Sequence, residues 1–369
     1  MSAVSYVDTG AGVRALALAA RASVPALKRS SGEQRNRFLL VLASTLRSAM
    51  PAITAANAID LQAGTQAGLT SALLDRLRLD AARIEAMARD LEHLASLPDP
   101  LGQVFEQRLL ANGLRAHKRR VPLGVLGVIY ESRPNVSIDV AALAIKTGNA
   151  AVLRGGKEAL ASNRVLVQLA RGALQDVGLP ESALAFIDCV DRQATLELLQ
   201  LDDVVDLIIP RGGAGLHAFC RRESRIPVIT GGIGICHLYV DAAADLDPAL
   251  AVIRNAKVQR PTVCNALDTA LVHADIAAVF IPRLIETLSR DGVEFRCDPR
   301  ALFLASSARA LPAQAEDFDT EWLSLVLGIR VVDDAEQAMV HIEQHSSGHS
   351  DGILTESAEL AERFLARID

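Results

Sequence analysis

Val121-Pro-Leu-Gly-Val-Leu-Gly-Val-Ile-Tyr-Glu-Ser-Arg-Pro-Asn-Val136 is the stretch at which the residue pattern of this 369-residue chain changes. From here on, short β-branched runs alternate with helical stretches, which is typical of βαβ units and a mostly parallel sheet. The predicted strands are Val125–Ile129, Ala151–Leu153, Ala185–Ile187, Val204–Ile209 and Ile226–Ile229, and the helices between them include Ser162–Gln175 and Arg192–Leu199. The fold class is therefore expected to be α/β.

A second alternating block runs from Cys236 to the end of the chain. Its predicted elements are strands His237–Val240, Thr269–Val272 and Gly328–Val332, with helices near Pro248–Ala256, Ile276–Ser289 and Glu356–Ala366. The glycine-rich segment Gly231-Gly-Ile-Gly234 lies between the two blocks, where it is suited to act as a hinge.

The first hundred residues have helical character. Ser31 and Gln34 have capping-box spacing ahead of an apolar run, and Asp80 is placed to cap a second helix. The Asn112-Gly113 pair is a strong signal for a two-residue hairpin turn. We therefore predict a hairpin over 103–121 that projects from the body.

Composition excludes several classes of protein. Half of the residues are hydrophobic and the net charge is −6, which argues against disorder and against a nucleic-acid binder. Five dispersed cysteines without a CxxC pair indicate neither a zinc ribbon nor a disulfide framework, and they fit a reducing cytosol. No apolar run approaches the length of a membrane span. We therefore expect a cytoplasmic protein that binds neither membranes nor nucleic acid.

Three histidines recur at a spacing of four residues, at His341, His345 and His349. Such a spacing invites a metal-site interpretation. Ser346-Ser-Gly348 should end the helix before His349, so the three side chains are not expected to share a face. No metal site is predicted.

Glycine clusters follow three predicted strands, at Arg154-Gly-Gly-Lys157, Pro210–His217 and Thr230–Gly234. Glycine after a strand allows backbone N–H groups to approach a phosphate at the next helix N-terminus. None of the clusters matches the G-x-G-x-x-G pattern, and tight turns alone explain any one of them equally well. The cations in two clusters favour a nucleotide, and Arg154 with Lys157 suits the 2′-phosphate of NADP.

Two residues have the chemistry of acyl transfer. Cys264 offers a thiolate nucleophile that is also a good leaving group, and Lys257 and Arg260 are nearby cations in sequence. A free cysteine is nevertheless more often a small buried hydrophobe. Asn135 has an amide that can donate to an oxyanion, or it can cap the helix that follows it.

Several long blocks of the chain together resemble the γ-glutamyl phosphate reductases, a family of the aldehyde dehydrogenase superfamily. These blocks are Arg-Arg-Val-Pro-Leu-Gly, Tyr-Glu-Ser-Arg-Pro-Asn-Val, Lys-Thr-Gly-Asn, Leu-Arg-Gly-Gly-Lys-Glu, Ile-Pro-Arg-Gly-Gly-Ala-Gly-Leu-His and Gln-Arg-Pro-Thr-Val-Cys-Asn. They occur in order and extend nearly from end to end. The resemblance implies an aldehyde-dehydrogenase-like fold with a Rossmann-type cofactor domain, an α/β catalytic domain and an oligomerisation hairpin.

The resemblance also implies roles for individual residues. Cys264 matches the nucleophile and Asn135 the side-chain donor of the oxyanion hole. The remaining matches concern the cofactor: Arg154, Gly155, Gly156 and Lys157 on its adenosine side, Gly212 and Gly213 near its pyrophosphate, and Glu321 on its nicotinamide ribose. Arg133 and Arg260 are candidate ligands for the acyl phosphate or the substrate carboxylate.

The implied activity is NADPH-dependent reduction of L-glutamyl 5-phosphate to L-glutamate 5-semialdehyde and phosphate in proline biosynthesis, through a thioester on Cys264. The implied partners are further copies of the chain, as a homo-oligomer, and glutamate 5-kinase through functional coupling. The expected domains are an NADP-binding domain at 1–102 and 122–234, the hairpin at 103–121, and a catalytic domain at 235–369.

Two alternatives remain open. The first is an oxidative NAD(P)-dependent aldehyde dehydrogenase, but Val228-Ile-Thr-Gly-Gly232 lacks the glutamate that such enzymes use to activate water for thioester hydrolysis. The second is an inactive relative that serves only in interactions. Family members continue past the position of Asp369, so the family's C-terminal segment is expected to be absent here, which would weaken assembly and closure of the site.

Overall fold

The computed structural model describes residues 12–231 and 233–369, apart from the side chain of Ala72. Gly232, within the predicted hinge, lies outside the described residues. The chain divides into two compact units, of which the first ends at Gly231 and the second comprises the residues that follow, to Asp369. We refer to them as the N-terminal and the C-terminal unit.

The N-terminal unit begins with helices, as predicted. These helices are α1 (Val13–Arg29), α2 (Gly32–Ser48), α3 (Met50–Gln66), α4 (Ser71–Leu77) and α5 (Ala81–Ser96). Both predicted caps are present: Ser31 accepts the Gln34 N–H and Asp80 accepts the Arg83 N–H. The Gln34 side chain donates to the Val177 carbonyl oxygen, so it does not complete a reciprocal capping box.

The predicted hairpin is confirmed as the antiparallel pair β1 (Val104–Leu109) and β2 (Arg115–Arg119). Nearly every residue of both strands is exposed. The turn is longer than the predicted two residues. Leu110 and Leu114 pair across it, and Gly113 has φ +82° and donates its N–H to the Leu110 carbonyl oxygen. A three-residue loop with glycine in the left-handed region therefore closes the hairpin.

The rest of the N-terminal unit is a four-stranded parallel sheet in the order β5-β4-β3-β6. Its elements are β3 (Val125–Tyr130), α6 (Asn135–Lys146), β4 (Ala150–Arg154), α7 (Leu160–Asp176), β5 (Leu184–Phe186), α8 (Arg192–Leu199), β6 (Leu207–Arg211) and α9 (Ala214–Glu223). All six residues of β3 are buried, as expected for a central strand of a parallel sheet covered on both faces.

Two predicted strands in this unit were wrong in extent. The strand predicted at Val204–Ile209 is β6, which begins only at Leu207, because Val204 and Val205 donate to Leu201 in a turn after α8. The predicted strand Ile226–Ile229 makes only a single bridge, between Val228 and Ile208.

The C-terminal unit is built on a six-stranded parallel sheet in the order β10-β9-β11-β8-β7-β12. Its elements are β7 (His237–Val240), α10 (Leu246–Val258), β8 (Thr269–His273), α11 (Ala274–Arg290), β9 (Glu294–Cys297), α12 (Pro299–Leu304), β10 (Ala310–Pro312), β11 (Val326–Val332), α13 (Ala335–His345), β12 (Asp351–Leu354) and α14 (Ala358–Arg367). Helix α13 ends at His345, as the serines after it predicted.

Within the described residues, no single helix is long and apolar enough to cross a membrane. One bent pair, Gly32–Ser48 with Met50–Gln66, meets the length and composition test when the two helices are taken together, with an angle of 70° at their junction.

Candidate active site

Six of the seven cofactor-binding residues predicted from the sequence lie at one edge of the sheet in the N-terminal unit, whereas the seventh, Glu321, lies in the C-terminal unit. Strands β3, β4 and β6 are parallel, so their carboxyl ends lie together. Asn135 follows β3, the turn at 154–157 follows β4, and Gly212 with Gly213 follows β6. Open α/β sheets bind ligands in the crevice outside the carboxyl ends of their strands.

The cation that ends β4, Arg154, and the one that follows the strand, Lys157, have different surroundings. The guanidinium of Arg154 is half-buried and donates from Nη1 to the Gly155 carbonyl oxygen at 2.8 Å. Burial lowers the pKa of this guanidinium from its ordinary value. Lys157 is exposed. Arg154 therefore shapes the turn, and Lys157 presents its charge to solvent, where a phosphate can approach.

The two glycines between these cations are required by close packing. A Cβ atom at Gly155 would lie 3.2 Å from the ring of Tyr130 and would collide with the Asn163 amide. These side chains form a buried network, in which Tyr130 Oη is 2.5 Å from Ser137 Oγ and Ser137 donates to Asn163 Oδ1. This network packs against Gly155 and so supports the turn between Arg154 and Lys157.

The second glycine, Gly156, is constrained by a carboxylate. A Cβ atom there would lie 2.8 Å from the carboxyl carbon of Glu158. Glu158 in turn accepts the N–H and the Oγ–H of Ser132, at 2.8 and 2.6 Å, and Ser132 has φ +32°. Glu158 thereby fixes the loop that leads from β3 to Asn135.

Gly212 and Gly213 differ in the space around them. A Cβ atom at Gly212 would lie 2.5 Å from Glu131 Oε2, whereas a Cβ atom at Gly213 would meet nothing within 4 Å. The Gly213 N–H donates to Glu131 Oε2 at 3.0 Å. A carboxylate thus occupies the N-terminal end of α9, where backbone N–H groups favour an anion.

Asn135 is the first residue of α6 and does not cap it. The N-cap residue is Pro134, which offers no side-chain hydrogen bond, so the capping interpretation of Asn135 is wrong. Its Nδ2 donates to Asp139 Oδ2 at 2.9 Å. An amide nitrogen has two hydrogens, so a second one is left for an oxyanion. Arg133 lies half-buried in the same loop.

Cys264 differs from most of the other cysteines in its exposure. It lies in the turn between α10 and β8 and is exposed, as is Cys189. Burial raises the pKa of Cys220 to about 11 and those of Cys236 and Cys297 to about 12. A thiolate is the reactive form, so these three buried thiols are poor nucleophiles at neutral pH.

The backbone of Cys264 is held from two sides. A Cβ atom at Gly234 would lie 2.9 Å from the Cys264 carbonyl carbon, so this segment passes directly against the turn. The buried thiol of Cys236 donates to the Cys264 carbonyl oxygen at 3.2 Å. Gly234 therefore serves the packing of the turn that carries the thiol.

Lys257 and the backbone N–H of Trp322 share a partner, the carboxylate of Asp268. Lys257 is fully buried, and its Nζ donates to the Leu267 carbonyl oxygen at 2.7 Å and lies 3.9 Å from Asp268 Oδ1. The residue after Glu321, Trp322, donates its N–H to the same Oδ1 at 3.1 Å. Arg260 is exposed in the turn before Cys264.

The comparisons with known proteins place this chain in a family. The model of the aldehyde dehydrogenase family matches residues 4–300. The γ-glutamyl phosphate reductase of Psychromonas ingrahamii is 52% identical over 91% of this chain and 81% of its own length. The corresponding enzyme of Vibrio cholerae is 50% identical over 95% of this chain and 84% of its own.

The chain belongs to the γ-glutamyl phosphate reductases. The crystal structure of a γ-glutamyl phosphate reductase from Thermotoga maritima superimposes on this chain with a TM-score of 0.90 and 39% sequence identity. The alignment covers 97% of this chain and 86% of the Thermotoga chain. The resemblance expected from the sequence, the aldehyde-dehydrogenase-like fold and the oxidoreductase class are all confirmed for this γ-glutamyl phosphate reductase family member.

Sequence reasoning missed three carboxylates of this γ-glutamyl phosphate reductase fold: Glu131, Glu158 and Asp268. Each accepts a backbone N–H from a segment that carries predicted site residues. Glu131 stands in the stretch at which the pattern changes, so its position after a buried strand was an available signal. Nothing in the sequence around Asp268 distinguished it from other acidic residues.

Proposed function

We propose that the chain catalyses NADPH-dependent reduction of L-glutamyl 5-phosphate to L-glutamate 5-semialdehyde and phosphate, in proline biosynthesis. The relatives that share about half of its residues are named for that acyl phosphate. The observation that carries the proposal is the state of Cys264, an exposed thiol in a turn held by Gly234 and Cys236.

The proposed reaction begins with the Cys264 thiolate. It attacks the γ-carbonyl carbon, a C–S bond forms, and the carbonyl oxygen becomes an oxyanion that accepts from Asn135 Nδ2 and the Cys264 N–H. Collapse of this oxyanion breaks the bond to the phosphate oxygen, and phosphate leaves. The product of this half-reaction is a thioester on Cys264.

The residues of the N-terminal unit fit a nicotinamide dinucleotide. A Cβ atom at Gly213 would meet nothing within 4 Å, and Lys157 presents an exposed cation. The Gly213 N–H is bonded to Glu131, so a pyrophosphate would have to displace that carboxylate from the N-terminus of α9. NADPH, when bound, supplies the hydride that reduces the thioester carbon. Cys264 then leaves as a thiolate when the thiohemiacetal oxyanion collapses and breaks the C–S bond, which releases the aldehyde. A thiolate leaves more readily than an alkoxide would.

The preference for NADPH over NADH rests on charge. The 2′-phosphate distinguishes the two cofactors, and a cation is its natural partner. Lys157 is exposed, and Arg154 lies in the same turn. We propose Lys157 as the residue that recognises the 2′-phosphate.

The missing glutamate supports a reductase over an oxidative enzyme. Thr230 stands before Gly231, where the oxidative enzymes carry a carboxylate that activates water. Without such a base, a thioester on Cys264 survives long enough for reduction. We expect purified protein to reduce NADP continuously with glutamate 5-semialdehyde only when phosphate is present, because without phosphate the reaction stops after one hydride transfer per Cys264. Reduction at the same rate without phosphate would favour the oxidative alternative.

Assembly is proposed through the hairpin. The side chains of Leu109 and Phe105 are 72% and 40% exposed, and Leu110 is 43% exposed. A two-stranded ribbon with apolar side chains in solvent has the character of an interface. We expect light scattering to show a homo-oligomer for the wild type and dissociated subunits for Leu109→Asp.

A further inference from the structure

Asp268 is a buried carboxylate, 2% exposed, located just before β8. Its Oδ2 accepts the Cys236 N–H at 3.2 Å and its Oδ1 accepts the Trp322 N–H at 3.1 Å. The Cys236 carbonyl oxygen accepts the N–H groups of Asp268 and Thr269, at 3.1 and 3.0 Å. One residue thus holds the backbone of Cys236 at both its donor and its acceptor.

These contacts lead to two candidate functional residues. The thiol of Cys236 donates to the Cys264 carbonyl oxygen, so a fixed Cys236 also fixes the turn of the nucleophile. The Trp322 N–H belongs to the peptide bond that joins Glu321 to Trp322. Its bond to Asp268 therefore fixes the backbone position from which the Glu321 side chain extends. Asp268 is the point at which the two segments meet.

Lys257 is the counterion of this carboxylate. It is 0% exposed, and Nζ bonds the Leu267 carbonyl oxygen, which belongs to the residue next to Asp268. Burial raises the pKa of Asp268 and lowers that of Lys257 to about 8, while each charge opposes the other's shift. Burying two charges costs desolvation free energy, and a well-packed apolar pair in their place is often at least as stable. The buried Lys257–Asp268 pair is therefore weak evidence for a purely stabilising role.

We propose that Asp268, held by Lys257, is a positioning residue that sets the Cys264 turn and the Glu321 segment in a single arrangement. The inference rests on the proposed function, in which Cys264 carries the thioester, and on the nicotinamide-ribose contact that the family resemblance implies for Glu321. A displacement of about 1 Å between reacting groups is enough to cost about 10²-fold in rate.

The test uses Asp268→Asn in the 369-residue chain. An amide has one acceptor oxygen and one donor nitrogen, so either the Cys236 N–H or the Trp322 N–H then faces another donor. We measure phosphate-dependent NADP reduction with glutamate 5-semialdehyde, and count reactive sites by alkylation of Cys264 with iodoacetamide and mass spectrometry. The rate is divided by the number of Cys264 thiols that iodoacetamide can alkylate, which gives kcat per reactive Cys264. We expect this kcat to fall by about 10–100-fold and the KM for NADP to increase.

The matched control is Asp241→Asn. Asp241 is a buried carboxylate of the same unit and also has both oxygens bonded, but it follows β7 at the opposite edge of the sheet from Asp268. We expect the kcat per reactive Cys264 of this variant to stay within about twofold of the wild type, since Asp241 bonds neither the Cys236–Cys264 contact nor the Glu321 segment. Equal losses in the two variants would reduce Asp268 to a general stability residue and overturn the proposal.

A second variant covers a folding failure. Lys257→Met with Asp268→Asn removes both buried charges and retains the volume, which is often neutral for stability. It still lacks one of the two backbone contacts, so its kcat per site should fall as in the single variant. A double variant with the wild-type kcat per site and KM contradicts the proposal. Wild-type protein without phosphate-dependent activity contradicts the proposed function instead.

Discussion

Gly234 lies against Cys264 so closely that a Cβ atom at position 234 would come within 2.9 Å of the Cys264 carbonyl carbon. Contacts below 3.0 Å force something to move, and here the neighbour is backbone rather than a flexible side chain. The glycine is therefore part of the construction of the nucleophile's turn.

Gly234→Ala is expected to displace Cys264 and to slow the reaction. A shift of about 1 Å corresponds to a loss of about 10²-fold in kcat, measured as phosphate-dependent NADP reduction. Gly172→Ala is the matched control, because a Cβ atom in that helical position meets nothing within 4 Å. Alanine in a helix is favourable by about 1 kcal/mol, so this control should keep full activity. Full activity in Gly234→Ala would show that the turn tolerates the shift.

Asn135→Ala is expected to lower kcat by about 10²–10³-fold if its amide stabilises the oxyanion. Its structural role is small, because its bond to Asp139 is an i,i+4 helix pair worth about 0.2–0.5 kcal/mol. Thermal unfolding should therefore stay close to the wild type. A loss of activity that only follows a loss of folded protein would remove Asn135 from the oxyanion hole.

Lys157→Glu is expected to change cofactor preference. The substitution places a carboxylate where the 2′-phosphate is proposed to bind, so kcat/KM with NADP should fall while kcat/KM with NAD is retained. Lys28→Glu, an exposed lysine on α1, serves as the charge control. An unchanged ratio of the two kcat/KM values in Lys157→Glu would contradict the assignment.

Much of the architecture follows from local sequence, whereas the supporting carboxylates do not. The run Val125–Tyr130 is apolar and β-branched, and β3 is indeed buried along its whole length. Strands β9, β10 and β12 escaped prediction because each is three or four residues long and contains charged residues, proline or glycine. Their strand character comes from neighbours in the sheet.

The same distinction holds within the candidate site. Cys264, Asn135 and the glycine turns were predicted because their residue types indicate chemistry and their motifs resemble a family. Glu131 meets Gly213 only because β6 pairs with β3, which places Arg211 opposite Tyr130. Asp268 meets Trp322 from a distant part of the chain. Such contacts depend on tertiary structure and leave no local pattern.

Lys257 predicts a pH dependence of stability. Burial lowers its pKa to about 8 in the folded protein, against about 10.4 in an unfolded chain. Between these values the unfolded state binds the extra proton, so the contribution of Lys257 to stability increases with pH. The difference in unfolding free energy between the wild type and Lys257→Met should therefore rise by about 1 kcal/mol from pH 7 to pH 9. Urea titrations at both pH values measure it, and a constant difference would place the Lys257 pKa outside this window.

The thioester on Cys264 is tested most directly by intact-protein and peptide mass spectrometry. The protein is incubated with glutamate 5-semialdehyde and NADP in the absence of phosphate, so that hydride transfer forms the thioester and the missing base leaves it unhydrolysed. We predict a glutamyl group on the peptide that contains Cys264, lost on addition of phosphate and absent from Cys264→Ser. A wild-type protein that reduces NADP with phosphate but never carries that group on Cys264 would contradict the account.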